Sequence, residues 1–114
     1  MRGKDNSKPC FNTILNGSVL IFSPIYVENF VGLDERTFMY LEEFILYEHV
    51  IRRGYKTYFT PKLRIFHEHE VTTKVSFKNI RQKELWRLKH QMESLKILKA
   101  VIKEYEGIKG RKKE

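Results

Sequence analysis

The sequence predicts a small α+β fold, a mixed sheet flanked by helices, with a long amphipathic helix at its carboxyl end. Turn-bounded β-rich segments favour the sheet, and a glycine-free, proline-free charged segment with apolar residues at steps of three and four favours the long helix. At 114 residues, 41% apolar and 32% charged, the chain has the composition of one ordinary globular domain. A disordered tail and a fibre are therefore excluded.

The β-rich segments lie near the amino end and in the middle of the chain. Residues 1–10 are mostly polar and are expected to be a flexible lead-in, with order beginning near Phe11. Segment 17–22 is apolar and bounded by turn residues, which is typical of a buried strand. Segments 55–60 and 63–67 alternate around a proline and predict two further strands.

Two helices are expected between these strands. Ser23 before a proline resembles an N-cap with proline at the first helical position, which predicts a short helix over 24–30 that stops at Gly32. Apolar residues near helical spacing predict a second helix over 41–53. Gly54 follows it and supplies the usual left-handed stop.

The carboxyl-terminal part predicts one long helix over 78–106 and a mobile basic tail over 107–114. Its apolar stripe consists of Leu85, Leu88, Met92, Leu95, Leu98, Ile102 and Tyr105. Trp86 and Ile97 lie off this stripe. A stripe of this kind needs a partner, and we expect a second copy of the chain, in a homo-oligomer, to cover it rather than the chain's own sheet.

Charge and cysteine content limit the partners and the compartment. Twenty-two Lys and Arg against fourteen Asp and Glu give a net charge of +8, which favours an anionic partner such as a nucleic acid, a nucleotide, a phosphate or a membrane leaflet. The single cysteine, Cys10, cannot form an internal disulfide, so the default compartment is the cytoplasm. No apolar run approaches the length of a bilayer-spanning helix, and any membrane contact is expected to be peripheral, at the inner face.

An adjacent pair of carboxylates, Glu42 and Glu43, opens the second helix. Neighbouring helical side chains point about 100° apart, so the two cannot address one atom. One could act as a general base on a hydroxyl while the other orients a neighbouring group. Two solvated glutamates favoured by the helix dipole remain the ordinary structural alternative.

The run from His67 to Glu70 alternates histidine and glutamate. In a strand His67 and His69 share one face, a spacing that could offer two imidazoles to a divalent metal. No second cluster of ligand residues completes a closed site, so a structural zinc is not predicted. A hydrogen-bonded histidine at the edge of the core is the alternative for His67. Phosphate-binding glycine loops, nucleophile motifs and dinucleotide fingerprints are absent from the sequence.

Several short motifs follow one another in register between residues 16 and 74. They are Asn16-Gly17-Ser18 before an apolar run, Gly32-Leu33-Asp34-Glu35 before Tyr40-Leu41-Glu42-Glu43, and Arg53-Gly54-Tyr55 before Pro61 and His67. Together they resemble the carboxyl-terminal half of family 2 glycosyltransferases of the rhamnosyltransferase-like kind. The resemblance covers about half of the chain and rests on the series of motifs, not on any one of them.

The resemblance implies a GT-A fold and the transfer of a sugar, with inversion, from a nucleoside-diphosphate donor to a saccharide or other hydroxyl acceptor in cell-surface or exopolysaccharide synthesis. It places the catalytic base on Glu43, with Glu42 as the preceding acidic residue. It places a residue that helps to bind the metal and diphosphate on His67. Segment 16–18 resembles the wall where small residues let the sugars approach closely, and Lys56 or Lys74 could add positive charge.

The same resemblance implies partners and a cofactor. A divalent metal, manganese or magnesium, is expected in the complete enzyme, together with a nucleotide-binding domain that carries an Asp-x-Asp motif. No Asp-x-Asp occurs in this sequence, and Ile45 stands where many relatives carry a further aspartate. Residues 11–77 are therefore expected to be the acceptor-side portion of such an enzyme, inactive alone and without tightly bound metal.

Two alternatives come from other functional classes. A basic nucleic-acid-binding module could use helix 78–106, where Trp86 and Tyr105 accompany Arg81, Arg87 and Lys89. That helix also carries glutamates, and such mixed charge is typical of a solvated face, so specific nucleic-acid binding is not predicted. A helix-mediated interaction module is the other alternative and is compatible with the glycosyltransferase.

Overall fold

A computed structural model describes residues 7–37, 39–66 and 79–112. In these ranges the elements are β1 (Cys10–Phe11), α1 (Pro24–Asn29), α2 (Glu42–Arg52), β2 (Tyr58–Phe59) and α3 (Ile80–Lys112). The predicted combination of a small sheet with helices, including a long carboxyl-terminal helix, is confirmed, but the sheet described is antiparallel rather than mixed. None of the helices described is long and apolar enough to cross a bilayer.

The sheet consists of β1 and β2 paired antiparallel, with Phe11 opposite Tyr58. Their rings lie 4.7 Å apart between centroids. The pairing continues beyond the strands, since the amide of Asn12 donates to the carbonyl of Thr57 at 2.9 Å and the hydroxyl of Thr57 donates to the carbonyl of Thr13 at 2.7 Å. These bonds fasten the amino-terminal segment to the middle of the chain.

The strand predictions are confirmed only in part. Segment 55–60 contains β2, but 17–22 forms no strand, and neither does the described part of 63–67. β2 pairs instead with Cys10–Phe11, at the end of the predicted lead-in. Among the described residues no strand pairs with segment 17–22, and its Ile21 is 73% exposed. β propensity without a pairing partner does not make a strand.

Both short-helix predictions are confirmed. The hydroxyl of Ser23 accepts from the amide of Tyr26 at 3.3 Å and caps α1, with proline at its start. α2 occupies nearly the whole of the predicted range 41–53. Gly54 has φ 85°, the left-handed conformation expected of the residue that ends a helix.

The core lies on α2 and α3, which pack against each other within the chain. Ile45, Leu46 and Val50 of α2 are buried, as is Val101 of α3. The buried hydroxyl of Ser94 donates to the carbonyl of Met39 at 2.6 Å, so the polar group that α3 brings into the contact is satisfied.

The face of α3 that is covered differs from the predicted stripe. Its buried and half-buried residues include Trp86, His90, Ser94, Ile97, Val101 and Tyr105. Of the predicted stripe, Leu98, Ile102 and Tyr105 are half-buried, whereas Leu85, Leu88, Met92 and Leu95 are 49–60% exposed. Trp86 and Ile97, which lie off the predicted stripe, belong to the face that packs within the chain. That face also includes polar residues, which an apolar pattern cannot reveal.

The end of α3 also differs from the sequence prediction. The helix continues to Lys112, past the end predicted at residue 106, so the tail predicted over 107–114 starts inside a helix. Gly107 does not interrupt it. A single glycine costs a helix about 1 kcal/mol, which the good helix formers around it can offset.

A hydrogen-bonded network joins the loop before α2 to both long helices. The Asp34 carboxylate accepts from Nη2 of Arg36 at 2.6 Å and lies 3.0 Å from Nε2 of His49. Nδ1 of His49 lies 2.6 Å from the hydroxyl of Tyr105, and Nη1 of Arg36 donates to Glu104 at 2.7 Å. The hydrogen bonds from Arg36, reinforced by His49 and opposed by partial burial, hold the pKa of Asp34 well below its usual range.

Replacing Asp34 with Asn should lower the free energy of unfolding by about 2 kcal/mol, because charge-assisted hydrogen bonds to Arg36 and His49 are lost. Urea unfolding followed by circular dichroism at neutral pH measures the change. Glu35→Gln is the matched control, since it removes an exposed carboxylate that lies outside the network, and it should change stability by less than about 0.5 kcal/mol. Equal losses in the two variants would contradict a stabilising role for the network.

The lowered pKa of Asp34 also sets the direction of the pH dependence. Its folded pKa lies below the unfolded value of about 3.9, so its contribution is fully present above that value and is lost as the pH falls toward the folded pKa. Stability should therefore decline below about pH 4. The difference in the free energy of unfolding between wild type and Asp34→Asn should become smaller below that pH. A difference that stays constant until the protein unfolds would contradict the lowered pKa of Asp34.

Candidate functional site

The two motif segments predicted to form the site meet at the start of α2. A Cβ built on Gly17 would lie 3.1 Å from Oε2 of Glu43 and 3.7 Å from Oε1 of Glu42. The side chain of Asn16 accepts from the amide of Ser18 at 2.9 Å and closes a turn around Gly17. A larger residue at this point would press on the Glu43 carboxylate, so the glycine keeps the space beside that group open.

An unusual backbone conformation just before α2 positions the two glutamates. Tyr40 and Leu41 have φ values of 69° and 60°, in the left-handed region that residues with a Cβ seldom adopt. Leu41 is the N-cap of α2 and offers no capping side chain, yet its carbonyl accepts from the amide of Ile45 at 3.0 Å. Strain of this kind costs of order 1 kcal/mol per residue, and here it turns the chain sharply into α2 just before the carboxylates.

The electrostatic environments of Glu42 and Glu43 differ. Glu43 is half-buried and Glu42 is exposed. Burial raises the pKa of Glu43, a hydrogen bond from its own backbone opposes this, and the negative charge of Glu42 raises it further. A raised pKa makes a carboxylate a stronger base, and this together with its half-buried position beside Gly17 suits Glu43 to accept a proton.

A cleft of about 230 Å³ lies between α1, the loop before α2 and α2 itself, and Glu42 is the member of the carboxylate pair that lines it. Its lining includes Tyr26, Phe30, Gly32, Asp34, Glu42, His49 and Arg53. The rings of Tyr26 and Phe30 stack at 4.4 Å, and the Arg53 guanidinium lies 4.0 Å from the centroid of Phe30. The cleft thus combines aromatic walls with the Glu42 carboxylate.

The sequence analysis missed several residues of the cleft, although the spacing of residues along α2 could have identified them. Glu42, Leu46, His49 and Arg53 recur at steps of four, three and four, which places them on one face of a helix. The apolar pattern used to predict that helix took no account of its polar residues. A search for polar residues in the same register would have found His49.

Of the four remaining residues predicted for the site, the structure describes one, Lys56. His67, His69 and Lys74 lie outside the described residues. The Lys56 ammonium lies 5.8 Å from the centroid of the Phe11 ring, beside the sheet. Within the described ranges, no three His, Cys, Asp or Glu side chains gather as a metal site.

Ile45 accounts for one departure from the family pattern. Its side chain is 1% exposed and belongs to the core on α2. An aspartate at this position would be desolvated without a partner, which is strongly unfavourable. In this chain the position is part of the core.

The aromatic residues on which the nucleic-acid alternative depends are engaged inside the chain. Trp86 makes edge contacts with the rings of Tyr40 and His90, at 6.1 and 4.5 Å between centroids. The hydroxyl of Tyr105 contacts His49. These contacts use the rings for packing α3 rather than for stacking on bases.

The carboxyl group of Glu43 should titrate above the ordinary glutamate value of about 4.3, because of its burial. Carboxyl-detected NMR of the purified chain across the acidic range measures the midpoint. Glu42→Gln should lower that midpoint by removing a neighbouring negative charge. Glu28→Gln, a charge change on α1, should leave it unchanged, and a wild-type midpoint at or below the ordinary value would contradict the geometry.

Comparison with known proteins adds no relative to this picture. The chain matches no family model, no curated protein and no solved structure. The resemblance to family 2 glycosyltransferases therefore stays a prediction, and the site's function has to be argued from its own residues.

Proposed function

We propose that this chain is the acceptor-side portion of an inverting, GT-A-type glycosyltransferase of cell-surface polysaccharide synthesis, with Glu43 as its general base. The observation that supports this most directly is the approach of Gly17 to the Glu43 carboxylate. The resemblance assigns these residues to the sugar wall and the base, and they are distant in sequence. Their approach is what a sugar-transfer site requires and is not expected of unrelated surface residues.

The chemistry follows from the position of Glu43. The acceptor hydroxyl donates its hydrogen bond to the Glu43 carboxylate, and its oxygen attacks the anomeric carbon of the donor sugar. As the new carbon–oxygen bond forms, the proton passes to Glu43 and the nucleoside diphosphate leaves with the electrons of the broken bond. Attack from the face opposite the leaving group inverts the anomeric centre.

The cleft supplies a place for the acceptor. A sugar ring presents apolar C–H faces that pack on aromatic rings, and its hydroxyl groups donate to carboxylates. Tyr26 and Phe30 provide aromatic walls, and Glu42 brings a carboxylate to the cleft from the residue beside the base. Glu42 therefore orients the acceptor saccharide while Glu43 accepts the proton.

The donor nucleotide and the divalent metal belong to a partner domain in this proposal. The described residues of this chain contain no three-ligand metal cluster, and the raised pKa of Glu43 suits a base rather than a metal ligand. When bound, the metal would neutralise charge on the leaving diphosphate. His67 is the residue that the resemblance assigns to help hold it.

In the enzyme that combines this chain with its nucleotide-binding domain, Glu43→Gln should reduce kcat at least about 100-fold, since it keeps the shape and removes the base. The Michaelis constant for the donor should change little. Release of nucleoside diphosphate in the presence of acceptor measures the rate. Glu42→Gln should chiefly raise the acceptor's Michaelis constant. A strongly reduced kcat in Glu42→Gln together with a nearly normal kcat in Glu43→Gln would reverse the proposed roles.

The purified chain should also bind simple methyl glycosides with a dissociation constant in the millimolar range, as expected of a shallow cleft with few polar contacts. Amide NMR should show shifts at Gly17 and Gly32, which border the site, and none at Gly107. Sorbitol, which carries hydroxyl groups but no sugar ring, is the matched ligand control. Equal responses to both ligands, or none to the glycosides, would count against an acceptor site.

A further inference from the structure

The side of α3 turned away from α2 carries an exposed apolar row. Leu85, Leu88, Met92 and Leu95 follow one another at steps of three, four and three residues, and each is 49–60% exposed. At about 100° per residue this row lies on the side of the helix opposite Val101, which is fully buried. Four large apolar side chains in one row form a patch rather than the scattered apolar residues of an ordinary surface.

The spacing of the row is that of a coiled-coil seam. With Leu85 and Met92 at a positions, Leu88 and Leu95 fall at d positions. The register continues through Lys99 at a to Ile102 at d. Leucine at d is compatible with a two-stranded coil, and a single lysine at a favours a defined register and oligomeric state at some cost in stability.

The charges beside the seam distinguish between the two orientations of a pair. Glu84 occupies a g position, and the e positions are Lys89, Lys96 and Lys103. In a parallel pair, Glu84 faces Lys89 of the second copy, because g of one helix meets e of the next heptad in the other. In an antiparallel pair the lysine rows would face each other and repel.

We infer that a second copy of this chain docks on this face, forming a parallel two-stranded coiled coil over residues 84–103. The contact is about 30 Å long, and it adds flanking lysine stems to the apolar row. It leaves the contact between α2 and α3 intact, since that contact uses the other side of the helix. The inference is independent of the proposed enzymatic function.

Sedimentation equilibrium of the purified chain tests the interface. The wild type should be a dimer at micromolar concentration, and Leu88→Glu with Leu95→Glu should be a monomer with unchanged helical circular dichroism. The matched control is Leu63→Glu with Ile65→Glu, since these residues are equally exposed and lie outside α3, and it should remain dimeric. A monomeric wild type at high concentration would overturn the inference.

Charge reversal and cross-linking test the orientation. Glu84→Lys should weaken the dimer at least tenfold, and adding Lys89→Glu in the same chain should restore it. In a Cys10→Ser background, Leu88→Cys should form a disulfide between copies on mild oxidation, because like d positions meet only in a parallel pair. Absence of that disulfide in a dimeric sample would overturn the parallel arrangement.

The same samples test whether the leucine row binds a lipid surface rather than a second copy of the chain. Vesicles of phosphatidylserine and phosphatidylcholine should not bind the wild-type dimer through the leucine row, because that row is already covered. The wild type could instead be a monomer that floats with these vesicles, while Leu88→Glu with Leu95→Glu does not float. That result would overturn the inference in favour of a membrane surface.

Discussion

The contact of His49 with Asp34 and Tyr105 is the interaction on which the arrangement of this chain depends. It joins the loop before α2, α2 itself and α3 through one imidazole ring. The ionised Asp34 can only accept, so Nε2 of His49 donates to it, and the Tyr105 hydroxyl, which can donate or accept, completes the contact at Nδ1. Every polar group in the contact then has a hydrogen-bonding partner. The contact thereby holds the loop before α2, α2 and α3 in fixed positions relative to one another.

Burial of Ile45 and Val50 then fixes the rotation of α2 about its axis. Because adjacent residues point about 100° apart, this rotation sends Glu42 and Glu43 in different directions. Glu42 lines the cleft with His49, while Glu43 becomes half-buried. Both carboxylates border Gly17, at 3.7 and 3.1 Å from the position that a Cβ would take there. The different environments of the two carboxylates are thus a consequence of the core, and the division of labour proposed for them follows from it.

Sequence patterns predicted the parts of this fold that short-range interactions determine. The Ser23 cap and the left-handed Gly54 are set by neighbouring residues, and both helices appear where expected. The prediction of a strand over 17–22 was wrong because a strand also needs a neighbouring strand to pair with, and the local sequence does not identify that neighbour. The approach of the Gly17 loop to α2 was suggested by the family resemblance alone, since the spacing of single residues contains no record of long-range contacts.

The long helix shows that an apolar pattern can identify one surface of a helix and still miss the surface that packs within the chain. Its contacts with the rest of the chain include Ser94 and Tyr105, whose hydroxyls bond to groups outside the helix. The leucine row is more apolar and yet stays exposed, because the described part of the chain packs against the other side of α3. Polar groups with fixed partners therefore select the side of α3 that faces the core. Since this side and the leucine row are opposite each other, the assembly proposed for the row would not interfere with the chemistry proposed beside α2.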